Sequence, residues 1–421
     1  MYSLLALREE DQQVGVDGSP ESIGILSHLR RLTPGIVAGA ADLDPAAVLT
    51  ATVAGASFGY SIGWVVLLAI PVLWAVFSVA GRIGHQSNRG LVELIRRTYG
   101  KGAGWGIAIA MISVNMTMII ADLIAVSDAF SLILQQHRIF FLPIVAFAVW
   151  YLLVVGDYRK SSRALIWFAL FQGAYLVAAV MAVKSWTGLL KGILLPHITF
   201  SSAFIIGIIA VFGSLLTPDV LVWQTSSRRD EKAAGGGLHS SESKVGTLVA
   251  AVISLSVIVA ASSLHVADPT HMSTLTAAQA LGPLGPLAPV IFSLGIIGSG
   301  LIALPILVAS MCFSIAEAAN WEAGLTVPAW EARRFYVLIS ASVFIAAIID
   351  FGSINPVTVL YWSQVFAGFL VVPVLMFIVM LGNNPHLTGR RNTTSENFWL
   401  GGAIAGMIVA NLVFFWTQFL H

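Results

Sequence analysis

From Ala46 to Gly81 the chain carries no charged residue, and a second uncharged stretch runs from Ser273 to Ala316. A single helix needs about 20 apolar residues to cross the hydrocarbon core of a bilayer, so both stretches exceed one crossing. Of the 421 residues, 57% are hydrophobic and only 10% are charged. The sequence therefore predicts an all-α polytopic membrane protein. With 22 basic and 21 acidic residues it lacks the basic excess that nucleic-acid binding requires.

Apolar runs of membrane length divide the chain into eleven predicted spans, preceded by a cytoplasmic N-terminal segment, residues 1–32. Residues 33–421 are predicted to form one membrane-embedded domain. Gly59 and Gly63 mark the turn between spans 1 and 2. The predicted spans are residues 33–56, 61–82, 104–134, 139–156, 163–184, 202–226, 244–264, 286–317, 333–350, 355–381 and 396–419.

Basic residues are distributed unevenly between the two sides of this arrangement. With the N-terminus in the cytoplasm, nineteen lysines and arginines lie inside, and only Arg138, Lys184 and Lys191 lie outside. The positive-inside rule therefore predicts a cytoplasmic N-terminus and an external C-terminus. We expect an integral protein of the bacterial inner membrane. The lipid bilayer is its expected partner, and no obligate protein partner is implied.

Span 1 is interrupted by Asp42, Asp44 and Pro45. An aspartate at the centre of a spanning helix costs about 2.5–3.5 kcal/mol and normally faces a partner, a cavity or an ion. Proline lacks an N–H, so carbonyls just upstream lose their helical partners and can face a ligand. The alternative is a proline kink with an acid that serves folding only. Asp42 either points away from Asp44 or supports the same site.

Span 6 repeats this pattern, because Pro218 precedes Asp219 inside a second apolar run. Two broken helices at corresponding positions are typical of secondary transporters. Five spans in each half force the halves into opposite orientations. The sequence thus predicts inverted repeats over about 33–184 and 202–381, followed by an extra span over about 396–419.

The order of these motifs resembles the Nramp family of divalent-metal transporters, which has the LeuT-type fold. The resemblance rests on LDPAAV in span 1, ADLIA in span 3, the arginine pair that opens span 9, SQV in span 10 and GSLLTPD in span 6. It implies that Asp44 is the metal-binding aspartate and that Ala47 replaces an asparagine. In span 6 it implies that Ser214 replaces an alanine, Thr217 the metal-binding methionine and Asp219 a histidine.

The resemblance also implies a proton pathway. Asp122 is retained in span 3, whereas Ala125 stands where the family has a glutamate. Arg333 and Arg334 match the family's arginines on the proton route, and Gln364 lies in the matching part of span 10.

The candidate site offers carboxylates, hydroxyls and carbonyls, with the helix breaks at Pro45 and Pro218. Hard oxygen donors favour Mg²⁺ or Mn²⁺ over soft metals, and Mg²⁺ retains several waters. We expect a hydrated divalent cation as the substrate, with no cofactor. The alternative is a small organic solute carried on the same fold without metal transport. An enzyme is not expected, because no nucleophile with a base and no closed metal-ligand set is visible.

Overall fold

The computed structural model describes residues 43–155, 170–196, 198–199, 201–233, 240–264, 266, 268–325, 327, 330–349 and 355–419. Within these ranges the regular elements are helices, with no strand. The segment 1–32, Asp42 and the first part of span 1 lie outside the described residues.

Each of the eleven predicted spans contains a helix among the described residues. In chain order their bounds are Pro45–Phe58, Gly63–Ser87, Lys101–Leu134, Leu142–Val154, Ala174–Ala182, Ser202–Leu215 with Pro218–Ala233, Ser240–Ala261, Ala288–Ala319, Arg333–Ile349, Pro356–Gly382 and Thr394–Phe419. The two helices of span 6 are called 6a and 6b. Shorter connecting helices are Leu91–Tyr99, Trp186–Leu194, Thr274–Ala278 and Pro385–Thr388, and 3₁₀ turns cover Gly59–Ile62, Arg138–Phe140, Leu170–Gly173, Pro269–His271 and Gln279–Leu287.

Length and apolarity alone identify seven membrane-crossing helical stretches in the described part of the chain, or eight if one bent pair counts as a span. The difference from eleven has a simple origin. Spans 1 and 2 follow each other without a gap, as one stretch of 43 residues from Pro45 to Ser87. The described helices of spans 4, 5 and 9 are shorter than 18 residues.

Several helices begin where local sequence signals predict. Asn355 caps span 10, its side chain accepting from the Thr358 N–H at 3.3 Å, and proline follows at the first helical position. Span 11 begins with a capping box. The Thr393 hydroxyl accepts from the Glu396 N–H at 3.2 Å, and the Glu396 carboxylate accepts from the Thr393 N–H at 2.7 Å.

The helix packing has the symmetry expected of two five-span repeats. In two repeats of five spans, span 1 corresponds to span 6 and span 2 to span 7. Span 1 packs against span 7, and the corresponding contact, between 6b and span 2, is also present. Corresponding spans of the two repeats also pack directly on each other, in the pairs 2 and 7, 3 and 8, and 4 and 9. The architecture is the LeuT-type fold, with two inverted repeats and an added eleventh span.

Two glycines allow backbones to approach closely at equivalent interfaces. A β-carbon at Gly55 of span 1 would overlap with the Ile258 carbonyl oxygen of span 7. A β-carbon at Gly84 of span 2 would overlap with the Thr225 carbonyl oxygen of 6b. Small residues at helix interfaces give this close packing in membranes.

We expect Gly55→Ala and Gly84→Ala each to destabilise the protein by about 1–3 kcal/mol, because the added methyl forces the packed helices apart. Thermal unfolding in detergent measures the effect. Gly106→Ala is the matched control, since Gly106 of span 3 has open space around it. This substitution changes only the conformational entropy of the unfolded chain and creates no overlap in the folded protein. Equal melting temperatures for all three variants would contradict the close-approach interpretation.

Candidate functional site

Asp44 is the N-cap of the span 1 helix. Its side chain is buried and accepts a hydrogen bond from the Ala47 N–H at 2.6 Å, and Pro45 occupies the first helical position. Aspartate followed by proline is a local signal for a helix start, and the positive end of the helix dipole favours a carboxylate here. Asp44 therefore has a structural role beside its predicted role as a ligand.

The two carbonyls that precede Pro45 are not left free, although the sequence predicts free carbonyls there. The Asp44 carbonyl accepts from the Val48 N–H at 3.2 Å. Gln172, near span 5, donates from its side-chain amide to the Leu43 carbonyl oxygen at 2.9 Å. This bond satisfies the Leu43 carbonyl, whose helical donor, the Ala47 N–H, is bonded to the Asp44 side chain instead.

Span 6 is broken between Leu215, the last residue of 6a, and Pro218, the first of 6b. Thr217 lies in the break and Asp219 in the first turn of 6b, and both are buried. Ser214 is also buried, and its hydroxyl donates to the Val211 carbonyl at 2.9 Å within 6a. The helix break is confirmed, and 6b, like the span 1 helix, begins at the break.

Asp122 of span 3 is fully buried, and neither carboxylate oxygen has a hydrogen-bond partner among the described residues. The negative charges of Asp44 and Asp219 both act on it, and the Ala46 N–H lies close to the carboxylates of both Asp44 and Asp122. Among the described residues neither Asp44 nor Asp122 forms a salt bridge. A buried carboxylate in this state requires a proton or a cation.

Gln364 of span 10 is fully buried, and both polar atoms of its side-chain amide lack partners within the described ranges. Its backbone carbonyl packs against Gly213 of 6a, which places this part of span 10 beside the helix break. An amide without partners is a candidate for contact with a hydrated ion.

Arg333 and Arg334 lie exposed at the start of span 9. The Arg334 guanidinium carbon stands 5.3 Å from the centre of the Trp321 ring, at a cation–π distance. Their role on a proton pathway stays a prediction.

Across the part of the chain that the structure describes, no three histidine, cysteine, aspartate or glutamate side chains are grouped closely enough to hold a metal ion. The three acids near the breaks are therefore electrostatic neighbours and not a closed ligand cage.

Glu317, at the end of span 8, is a buried acid that the sequence analysis did not single out. Its carboxylate accepts from the N–H groups of Val92 and Glu93 at 3.1 and 3.2 Å, at the start of the connecting helix Leu91–Tyr99. Its other oxygen accepts from the Ser226 hydroxyl of 6b at 2.8 Å. Glu317 thus joins span 8, 6b and the connecting helix.

We expect Glu317→Gln to lower the free energy of unfolding by about 1.5–3 kcal/mol, because the donors at a helix N-terminus then bond a neutral amide in place of a charged carboxylate. Chemical denaturation in detergent measures this. Glu331→Gln is a suitable control, since Glu331 is exposed. Equal stability of the two variants would show that the bridge contributes nothing.

The family model described as "Nramp: Natural resistance-associated macrophage protein-like" matches residues 35–417. Among curated proteins, the chain is 24% identical over 392 residues to the divalent metal cation transporter MntH of Aeromonas hydrophila, covering 90% of this chain and 94% of that protein. It is 26% identical over 405 residues to MntH of Deinococcus radiodurans, covering 92% and 89%.

Solved structures share the fold. A mutant of the Eremococcus coleocola manganese transporter superposes with a TM-score of 0.71 at 14% identity, covering 95% of this chain and 89% of that one. MhsT in complex with L-phenylalanine superposes with a TM-score of 0.61 at 12% identity, covering 96% and 100%.

Proposed function

The chain belongs to the Nramp family, and from that premise we propose that it is a secondary transporter that moves a divalent cation across the membrane by alternating access. Members of the family are transporters, so the chain is not an enzyme. The names of its MntH relatives and of the Eremococcus coleocola manganese transporter support a divalent metal as the substrate class.

The observation that carries this proposal is the negative charge gathered near the start of the span 1 helix and the break in span 6. Asp122 is buried without a hydrogen-bond partner among the described residues, Asp44 caps the start of the span 1 helix, and Asp219 stands at the break in span 6. Buried carboxylates that repel one another are stabilised when a cation enters between them. A cation of charge two fits this arrangement better than an anion or a neutral solute.

The donors favour hydrated Mg²⁺ or Mn²⁺ over softer ions. Asp44 and Asp219 supply carboxylates, and Thr217 and Ser214 supply hydroxyl oxygens, all of which are hard ligands. Ala47 has no side-chain ligand, and its small volume beside Asp44 suits an ion that keeps part of its hydration shell.

Uptake into proteoliposomes tests the proposal directly. The purified chain is assayed with Mg²⁺, Mn²⁺, Cd²⁺ and L-phenylalanine, with protein-free liposomes as the background. We expect saturable uptake of Mg²⁺ or Mn²⁺. Uptake of the amino acid without uptake of any divalent metal would replace this proposal with the organic-solute alternative.

Proton coupling is expected to be weak. The family resemblance places a histidine and a glutamate on the proton route, and this chain has Asp219 and Ala125 there instead. A pH-sensitive dye inside the proteoliposomes should therefore report little acidification during metal uptake. Strong acidification that disappears in Asp219→Asn would contradict this expectation and identify Asp219 as the proton carrier.

A further inference from the structure

An open cavity of about 540 Å³ lies where spans 3 and 8 meet the connecting helix Leu91–Tyr99. Its lining contains two alanines of span 8 together with Arg96, Arg97, Lys101, Trp105 and Asn320. Three of these side chains are basic and none is acidic. The residues assigned to the metal site do not line it, so it is a separate feature of the molecule.

The positive charge of the cavity is only partly neutralised. Arg97 donates to the Glu93 carboxylate at 2.8 Å. Arg96 donates to the neutral side-chain oxygen of Asn320, and its buried Nε–H has no partner among the described residues. Lys101 is exposed and forms no salt bridge within the described ranges. Guanidinium groups with unused donors are suited to phosphate oxygens.

The surface next to the cavity changes from charged to apolar along one face of span 3. Lys101, Trp105 and Ile109 are spaced four residues apart and therefore share a helix face. Trp105 is 39% exposed and Ile109 is 57% exposed. A tryptophan between a charged and an apolar zone is typical of the level of the lipid headgroups. The charge distribution predicts that this end of span 3 is cytoplasmic.

We propose that the cavity binds the phosphate of an anionic phospholipid, with the acyl chains lying along the face of Lys101, Trp105 and Ile109. Basic cavities between helices at the cytoplasmic surface bind anionic headgroups by this chemistry. A free phosphate ion would use the charges but not the exposed tryptophan and isoleucine. The bound lipid would contact the connecting helix Leu91–Tyr99. Glu317 links the N-terminus of that helix to 6b.

Native mass spectrometry of the full-length protein in detergent tests the proposal, with phosphatidylglycerol and phosphatidylcholine as probes. We expect tighter binding of phosphatidylglycerol. The double substitution Arg97→Gln with Lys101→Gln should weaken that binding about 25-fold, at about fivefold for each charge removed. Phosphatidylcholine binding should change little. Loss of transport is not the readout, so this test is independent of the proposed function.

The controls separate charge, folding and ligand source. Arg97→Lys with Lys101→Arg keeps the charge and should retain binding, as should Arg391→Gln, which removes an exposed arginine outside the cavity. Lys101→Gln alone should weaken binding about fivefold with an unchanged melting temperature. Undiminished phosphatidylglycerol binding by the folded Gln variants would overturn the proposal. Inorganic phosphate that binds the cavity as tightly as the lipid would also overturn it, since the apolar face would then contribute nothing.

Discussion

Asp44→Asn is expected to abolish divalent-cation binding while the protein stays folded. Asparagine is as good an N-cap as aspartate, so the hydrogen bond from the Ala47 N–H and the helix start at Pro45 are preserved. The substitution removes only the negative charge at the break. Mutation of residues that only orient a metal ligand typically lowers metal affinity about 10–100-fold. Loss of the charged ligand itself should therefore lower the affinity about 100-fold or more. Calorimetric titration with Mn²⁺ and thermal unfolding measure the two properties separately.

Two further variants define what Asp44→Asn reports. Asp128→Asn removes another acid of span 3, which pairs with Arg138 at 3.8 Å and accepts from Thr274 at 2.7 Å, and it should retain metal binding. Asp44→Ala removes both the charge and the cap, so it should also lower stability by about 0.5–2 kcal/mol. Wild-type Mn²⁺ affinity in a folded Asp44→Asn protein would exclude Asp44 from the site.

Thr217→Met combined with Ala47→Asn is expected to shift selectivity toward soft metals, with Cd²⁺ affinity rising about tenfold or more relative to Mg²⁺. A thioether binds Cd²⁺ far better than a hydroxyl does. The added amide supplies a direct oxygen ligand in place of water. Calorimetric titration of both proteins with both metals measures the ratio.

The effect of side-chain volume on packing must be separated from the effect of the soft sulfur ligand in this experiment. Thr217 and Ala47 are both buried, so larger side chains there carry a packing cost of about 1–3 kcal/mol. Thr217→Leu with Ala47→Asn is the matched control, because leucine approximates the volume of methionine without its sulfur. Tight Cd²⁺ binding by the wild-type protein, or the same shift in the leucine variant, would refute the argument from ligand softness.

The sequence alone predicted the eleven spans and the helix starts at Pro45 and Pro218. Span positions follow from the length of apolar runs, and helix starts at Pro45 and Pro218 follow from the covalent geometry of proline, so both are properties of neighbouring residues. The equal division into five and five spans then implied the inverted repeats. Observed helix packing confirms that topology.

Sequence reasoning was weaker for contacts between distant parts of the chain. Gln172 donates to the Leu43 carbonyl across a separation of 129 residues, and Glu317 accepts from the Val92 N–H across 225 residues. The spans are apolar around most of their circumference, so periodicity does not indicate which face is buried or which polar residue meets another.

Only the tertiary structure decided how the acids are used. Glu317 has backbone donors at the end of another helix, whereas Asp122 has no hydrogen-bond partner within the described residues and lies near the charges of Asp44 and Asp219. In the sequence both are single acids within or beside apolar runs. The difference arises because the cost of burying a carboxylate depends on which donors and charges the fold brings to it, and the fold assembles those groups from separate spans.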